Sequence, residues 1–121
     1  MIISTLRIVA EPDKNDEILE ILFSVKGPTE GEAGCISCRI FQDLRNERVI
    51  TYEEVWQSEE KLYQHIRSDL YRNILAVMDM SNGPPEVKFS TISNIAGMEL
   101  IKKALGYFDT EGNSQRNTGV R

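Results

Sequence analysis

The run Arg48–Trp56 constrains the fold more than any other stretch of the chain. It is rich in β-branched and aromatic residues and reads as a strand. The two-residue period of a strand sends Val49 and Val55 to one side and Ile50, Tyr52 and Trp56 to the other. A strand with apolar groups on both faces must be covered on both faces. The run then enters Ser58-Glu59-Glu60, a good N-cap followed by acidic residues in a first helical turn. A strand that needs two covers and feeds directly into a helix calls for a layered α+β arrangement.

The rest of the chain supplies the layers. Ile2–Ala10 reads as a first strand, broken at Glu11-Pro12-Asp13. Asp13 or Asn15 is the expected cap of a helix in which Ile18, Leu19, Leu22 and Val25 recur at helical spacing, with Gly27-Pro28 as its stop. Cys35–Leu44 is a second strand. The turn Arg45-Asn46-Glu47, with Asn46 suited to a left-handed backbone, pairs it in a hairpin with Arg48–Trp56. A helix follows Ser58, with Leu62, Ile66 and Leu70 as its apolar stripe. Ser68-Asp69 is the expected cap of a further piece carrying Ile74, Val77 and Met78. Ser81-Asn82-Gly83-Pro84-Pro85 is a break, and Glu86–Ser93 is a fourth strand with Val87, Phe89, Thr91 and Ser93 on one face. Asn94 or Gly97 opens a short helix with apolar Met98, Ile101, Ala104 and Leu105.

The order is β-α-β-β-α-β plus a terminal helix, the ferredoxin-like split pattern with an antiparallel sheet. Two helices cover one face of such a sheet. The simplest cover for the other is a second copy, so a homodimer is expected. Residues 1–106 form this domain, and 107–121 read by composition as a polar, flexible tail.

At 121 residues the length suits one domain. A net charge of −5 with scattered Lys and Arg argues against nucleic acid as a partner. No apolar run approaches a membrane span. The first residues lack the basic-then-apolar order of a secretory signal, which makes the cytoplasm the expected location. Cys35 and Cys38 form a C-x-x-C, but on a strand rather than at a helix start. Odd spacing there points the thiols to opposite faces, which favours two structural thiols over a redox pair. A metal site needs more ligands than this pair and one distant histidine.

Glu54-Val55-Trp56-Gln57-Ser58, then His65, then Ser68-Asp69-Leu70-Tyr71, resembles the signature of the antibiotic biosynthesis monooxygenase family, and Gly34-Cys35 resembles the glycine entry to the second strand. The resemblance covers about residues 1–93. It implies a dimeric α+β barrel, two sheets packed face to face, with a small pocket between sheet and helices in each subunit. Family activities include oxygenation of quinols or polyketide phenols without metal or flavin, haem degradation and isomerisation; some members have no known activity. Trp56 stands where oxygenating members place a tryptophan near substrate. Tyr52 and Leu62 stand where polyketide oxygenases often place asparagine and tyrosine, a departure from that subgroup. Leu75 falls where haem-degrading relatives carry a histidine, which argues against haem. His65 matches the histidine of quinol-oxygenase-like members.

No glycine cluster opens a helix and no His/Asp/Glu spacing suggests a metal triad, so neither a cofactor nor a metal is expected. An oxygenase of this kind takes its electrons from the substrate, which restricts it to electron-rich phenols, quinols or enolisable ketones. His65, the only histidine, is the candidate base. Asp69, four residues on, is the candidate to orient it. Tyr52 and Trp56 share a strand face and are candidates to stack on an aromatic substrate. Arg39 or Arg67 is a candidate to stabilise an oxyanion. Glu54 shares the Trp56 face and needs a partner if buried, with Arg39 or Arg7 as candidates or a catalytic role instead. The helical period puts His65 at the edge of the apolar stripe, where a boundary histidine bonded to a carbonyl or to Asp69 is the plain alternative. The leading expectation is a monooxygenase acting on a small quinol-like or phenolic molecule. A dimeric, non-enzymatic module that binds a small apolar ligand, or a stress-related protein without turnover, and an isomerase using the same histidine stay open.

Overall fold

A computed structural model describes residues 1–106. The expected tail, 107–121, lies outside the described residues. The chain runs β1 (Ile2–Val9), α1 (Asn15–Glu30), β2 (Cys35–Gln42), β3 (Val49–Trp56), α2 (Glu59–Ile66), α3 (Arg72–Met78), β4 (Glu86–Thr91) and α4 (Met98–Ala104). The four strands form one antiparallel sheet in the order β2-β3-β1-β4, the expected ferredoxin-like α+β arrangement.

Alternation sets the two faces of the sheet. Leu6 lies opposite Tyr52, and Ile8 opposite Ile50. These side chains join Ile18, Leu22 and Val25 of α1 and Ile74 and Val77 of α3 in the main core. Ile2, Trp56 and Leu62 form a second, smaller cluster under α2. Ile3 opposite Val55 and Val9 opposite Val49 line the helix-free face. Val87 and Phe89 of β4 pair with Leu6 and Ser4 and so lie on the helix side, yet both are exposed on this edge strand.

Four local readings are corrected. First, α1 runs through Gly27-Pro28 to Glu30. Pro28 has no N–H for the Ser24 carbonyl, but both residues face water, where the lost bond costs least. Thr29 continues the buried stripe of Leu22 and Val25, and a Lys26–Glu30 ion pair of 2.8 Å braces the last turn. Second, neither Asp13 nor Asn15 caps α1. Lys14 holds the cap position without a side-chain bond, and Asp13 makes the turn at φ 73°. Third, α3 begins at Arg72 without a side-chain cap, and Ser68 instead donates back to the His65 carbonyl at 2.6 Å. Fourth, the β2–β3 turn needs no left-handed Asn46; its side chain accepts from Arg48 N–H at 3.1 Å.

Ser58 caps α2 as expected, accepting from Lys61 N–H at 3.3 Å. The apolar positions of α4 are all exposed, and no residue of this helix is buried.

A β-bulge overturns the opposite faces expected for the two cysteines. The register shifts between Cys35 and Ser37, so Cys35 lies opposite Trp56 while Cys38 lies opposite Glu54. Trp56 and Glu54 share a face, and the extra residue therefore brings both thiols to the helix side. Both cysteines are free.

Candidate functional site

The alternation that buries Ile50 and Tyr52 also carries Glu54 and Trp56 inward, and α2 lays His65 over them. Glu54 and Trp56 are 0% exposed and His65 is 1% exposed. A charged side chain at this depth must have every bond filled. Tyr52 O–H donates to Glu54 Oε2 at 2.6 Å, and Trp56 Nε1–H donates to Oε1 at 3.0 Å. His65 Nε2–H donates to Oε2 at 2.9 Å. Three donors thus converge on one carboxylate. Behind Tyr52, the Cys38 thiol donates to its hydroxyl at 3.3 Å.

The other imidazole nitrogen faces a second carboxylate. Nδ1 lies 3.0 Å from each oxygen of Glu32, in the loop between α1 and β2. Carboxylate oxygens at both nitrogens favour both as donors, which is the imidazolium form of the ring. Burial by itself pushes this histidine down. The hydrogen bond and charge of Glu54, then those of Glu32, more than offset it and hold the imidazole above its ordinary value. The ring is fixed on its flanks as well. Trp56 lies 4.8 Å away between centroids, tilted by 34°, and Tyr71 meets it edge-on at 5.4 Å.

The same burial and the Glu54 charge raise the neighbouring weak acids. Cys35 is pushed up to about 11, Cys38 to about 12 and Tyr71 to about 12. Burial, then Glu54, keeps the Tyr52 phenol protonated far above its ordinary range.

The sequence-derived candidates therefore separate. Tyr52, Glu54, Trp56 and His65 come together in one network. Asp69 does not join it: it sits on the surface, 3.7 Å from Arg72, and Glu54 and Glu32 hold the imidazole in its place. Arg39 and Arg67 are exposed, and Arg7 pairs with Glu86 at 2.9 Å, so the partner of Glu54 is His65 and not an arginine. The boundary position expected for His65 is likewise corrected to a fully interior one. Glu32 was missed. Its only sequence signal is its place just before Gly34, whose φ of +89° turns the chain into β2.

Beside the network lies an apolar groove of about 180 Å³, formed by Ile2, Leu62, Ile66, Phe89 and Thr91, with Glu59 and Tyr63 at its rim. Ile2 and Leu62, which line the groove, pack with Trp56 in one cluster, and Trp56 in turn lies 4.8 Å from His65 between ring centroids. An apolar cavity of about 150 Å³ takes one benzene ring, and this groove matches that scale. Among the described residues no cluster of three or more His, Cys, Asp or Glu side chains forms a metal site. No described helix is long and apolar enough to cross a membrane.

Comparison with known proteins agrees with this fold. A curated relative, the uncharacterized protein sll1783 of Synechocystis, is 25% identical over 87 residues, covering 71% of this chain and 59% of the relative. A solved conserved protein from Methanosarcina mazei shares 29% identity at a TM-score of 0.68, over 74% of this chain and 89% of its own. Rv0793 of Mycobacterium tuberculosis aligns at a TM-score of 0.72 with 23% identity, over 79% and 98% of the two chains. A solved antibiotic biosynthesis monooxygenase aligns at 0.70 with 16% identity, over 78% and 100%; likenesses this distant speak to the fold. The sequence profile of one family, antibiotic biosynthesis monooxygenase, matches residues 1–77. That match spans more than half of the chain, which therefore belongs to the antibiotic biosynthesis monooxygenase family.

Proposed function

We propose that the protein is a monooxygenase acting on a small quinol or phenol, with the groove over Trp56 as its binding site and His65 as its base. The observation that supports this reading most is that Trp56 joins a one-ring apolar groove, through Ile2 and Leu62, to a buried His65–Glu54 pair. A hydroquinone and O₂ give a hydroxyquinone and water; the substrate supplies all the electrons, and one O–O bond is broken. The enzyme needs to remove a phenolic proton and keep the resulting anion away from water. The Trp56 ring must move off His65 for the substrate hydroxyl to reach it, and the imidazolium must first give up a proton. Tyr52 and Glu54 hold the ring orientation rather than touch the substrate. Asp69 takes no part.

The helix-free face is the proposed dimer interface. Ile3, Val9, Val49, Val55 and Phe41 lie on it, around the polar pair Arg39–Glu53. A second copy packing there would close the barrel. Sedimentation at micromolar concentration gives a dimer if this is right, and a monomer removes it.

The test of the activity is oxygen uptake with a panel of hydroquinones, comparing wild type with His65→Ala. Loss of uptake in the variant supports the base role, and equal rates exclude it. A second reading, a ligand-binding module without turnover, is favoured by one observation: both imidazole nitrogens are already occupied. Under that reading hydroquinones quench Trp56 fluorescence with no oxygen consumed.

A further inference from the structure

One member of the buried network differs from the rest in its access to water. Cys38, Tyr52, Glu54, Trp56 and His65 are each 3% exposed or less. The Glu32 side chain is 31% exposed, yet both of its oxygens lie 3.0 Å from His65 Nδ1. It sits on a loop whose exit is set by Gly34 at φ +89°, with the Lys61 stem packed against that glycine. The carboxylate therefore has one side on the buried imidazole and one side in solvent.

We propose that Glu32 is the proton port of the buried histidine: it takes the Nδ1 proton of His65 and releases it to water, and returns a proton by the same route. The transfer breaks the His65 Nδ1–H bond and forms a Glu32 O–H bond. The imidazolium becomes a neutral ring that keeps its Nε2–H on Glu54. Rotation of Glu32 toward solvent then loses the proton to water or buffer, and no electrons move. The alternative exits are poor. The titratable groups around the ring are Glu54 and Tyr52 from β3, Cys35 and Cys38 from β2, Tyr71 ahead of α3, and Glu32 itself. Tyr52, Tyr71 and both thiols hold their protons far above neutrality, and Glu54 has no exposed surface. This inference deepens the proposed function, since a His65 base must be emptied before each proton it accepts, but the port itself requires no turnover.

His65 is the only histidine, so its ring gives one set of imidazole signals in the ¹⁵N-labelled full chain. The experiment measures exchange of the Nδ1 proton with water in wild type, Glu32→Gln, Glu32→Asp and Glu32→Ala. The amide of Glu32→Gln keeps the shape but cannot carry the proton, and exchange slows on the order of a hundredfold, the lower end of what a positioned acid–base group contributes. Glu32→Asp recovers part of the rate. Added acetate restores exchange in Glu32→Ala in proportion to its concentration and leaves wild type unchanged. A merely structural Glu32 would shift the ring titration without producing acetate rescue. Unchanged exchange in Glu32→Gln, or no response of Glu32→Ala to acetate, overturns the port. If exchange behaves as expected while no hydroquinone supports oxygen uptake, the port stands and the oxygenase reading fails.

Discussion

Replacing Glu54 by glutamine tests whether the buried network organises the core. The substitution keeps the volume and removes the charge. In wild type, Oε1 accepts from Trp56 at 3.0 Å, while Oε2 accepts from Tyr52 at 2.6 Å and from His65 at 2.9 Å. An amide has one carbonyl oxygen and one NH₂ group. Whichever way it is turned, its NH₂ meets at least one N–H or O–H donor. One to two buried donors are left unpaired, each costing about 1–3 kcal/mol. The imidazolium also loses its fully buried partner, and breaking such a pair costs about 3–5 kcal/mol. These two costs overlap, because the His65 bond is counted in both. The expected loss is about 3–5 kcal/mol, a large part of the roughly 5–15 kcal/mol that holds a domain of this kind together. Equilibrium unfolding in urea, followed by fluorescence of Trp56, measures it. The series is run at several protein concentrations, since self-association would add to the apparent stability. Tyr52→Phe is the control: it removes one donor to the carboxylate and strands only the weak Cys38 thiol, at about 1.5–3 kcal/mol for a bond to a charged group. A Glu54→Gln loss below about 1 kcal/mol, or one no larger than that of Tyr52→Phe, would refute the view that three donors depend on this carboxylate.

Other outcomes follow from the same geometry. The unfolded imidazole titrates near 6.5 and the folded one higher, so the stability supplied by His65 is complete below 6.5 and declines as pH rises through the folded value. Urea midpoints collected across pH should show that decline in wild type and a weaker one in Glu54→Gln. If the protein turns over quinols, the neutral base form is required, and the lower limb of the kcat/KM profile lies above 6.5 in wild type and moves down in Glu32→Gln. Gly34→Ala places a Cβ 2.4 Å from Lys61 Cγ at φ +89° and should cost more in thermal unfolding than Gly83→Ala, which shares a positive φ but has open space around it. Native Cys35 and Cys38, raised to about 11 and 12, should react slowly with iodoacetamide at neutral pH, Cys38 the slower, and quickly once unfolded.

Much of the architecture was legible in the chain because it follows from short-range periodicity. The two faces of β3, the Ser58 cap and the order of elements need only neighbours within a turn or a strand. The corrections fall where a distant contact outweighs a local rule. Pro28 stays helical because Thr29 beyond it is buried in the core. The four-residue spacing pointed to Asp69 for His65, but that rule holds on a helix surface, and His65 points inward. Its partners arrive from β3 and from a loop 33 residues away. Glu54 was recognisable as a carboxylate on an inward face in need of a partner. Which partner answered it depended on packing that no local pattern records.

The bulge at Cys35–Ser37 has a consequence for how the chain tolerates changes in length. Most insertions and deletions of one residue are absorbed by loops. Here the extra residue lies inside a paired strand and acts as a phase shift for everything before it. Deleting Ile36 would remove the bulge and leave Cys35 opposite Trp56 on the helix side, whereas pairing Ile36 in a regular ladder would turn Cys35 to the opposite face. That regular pairing would also tug the Gly34 carbonyl from Gln57 N–H, which it now accepts at 2.8 Å, and draw the Glu32 loop out of line with His65. As long as Ile36 is present, the bulge thus sets whether the strand and the loop agree on which side of the sheet is the inside.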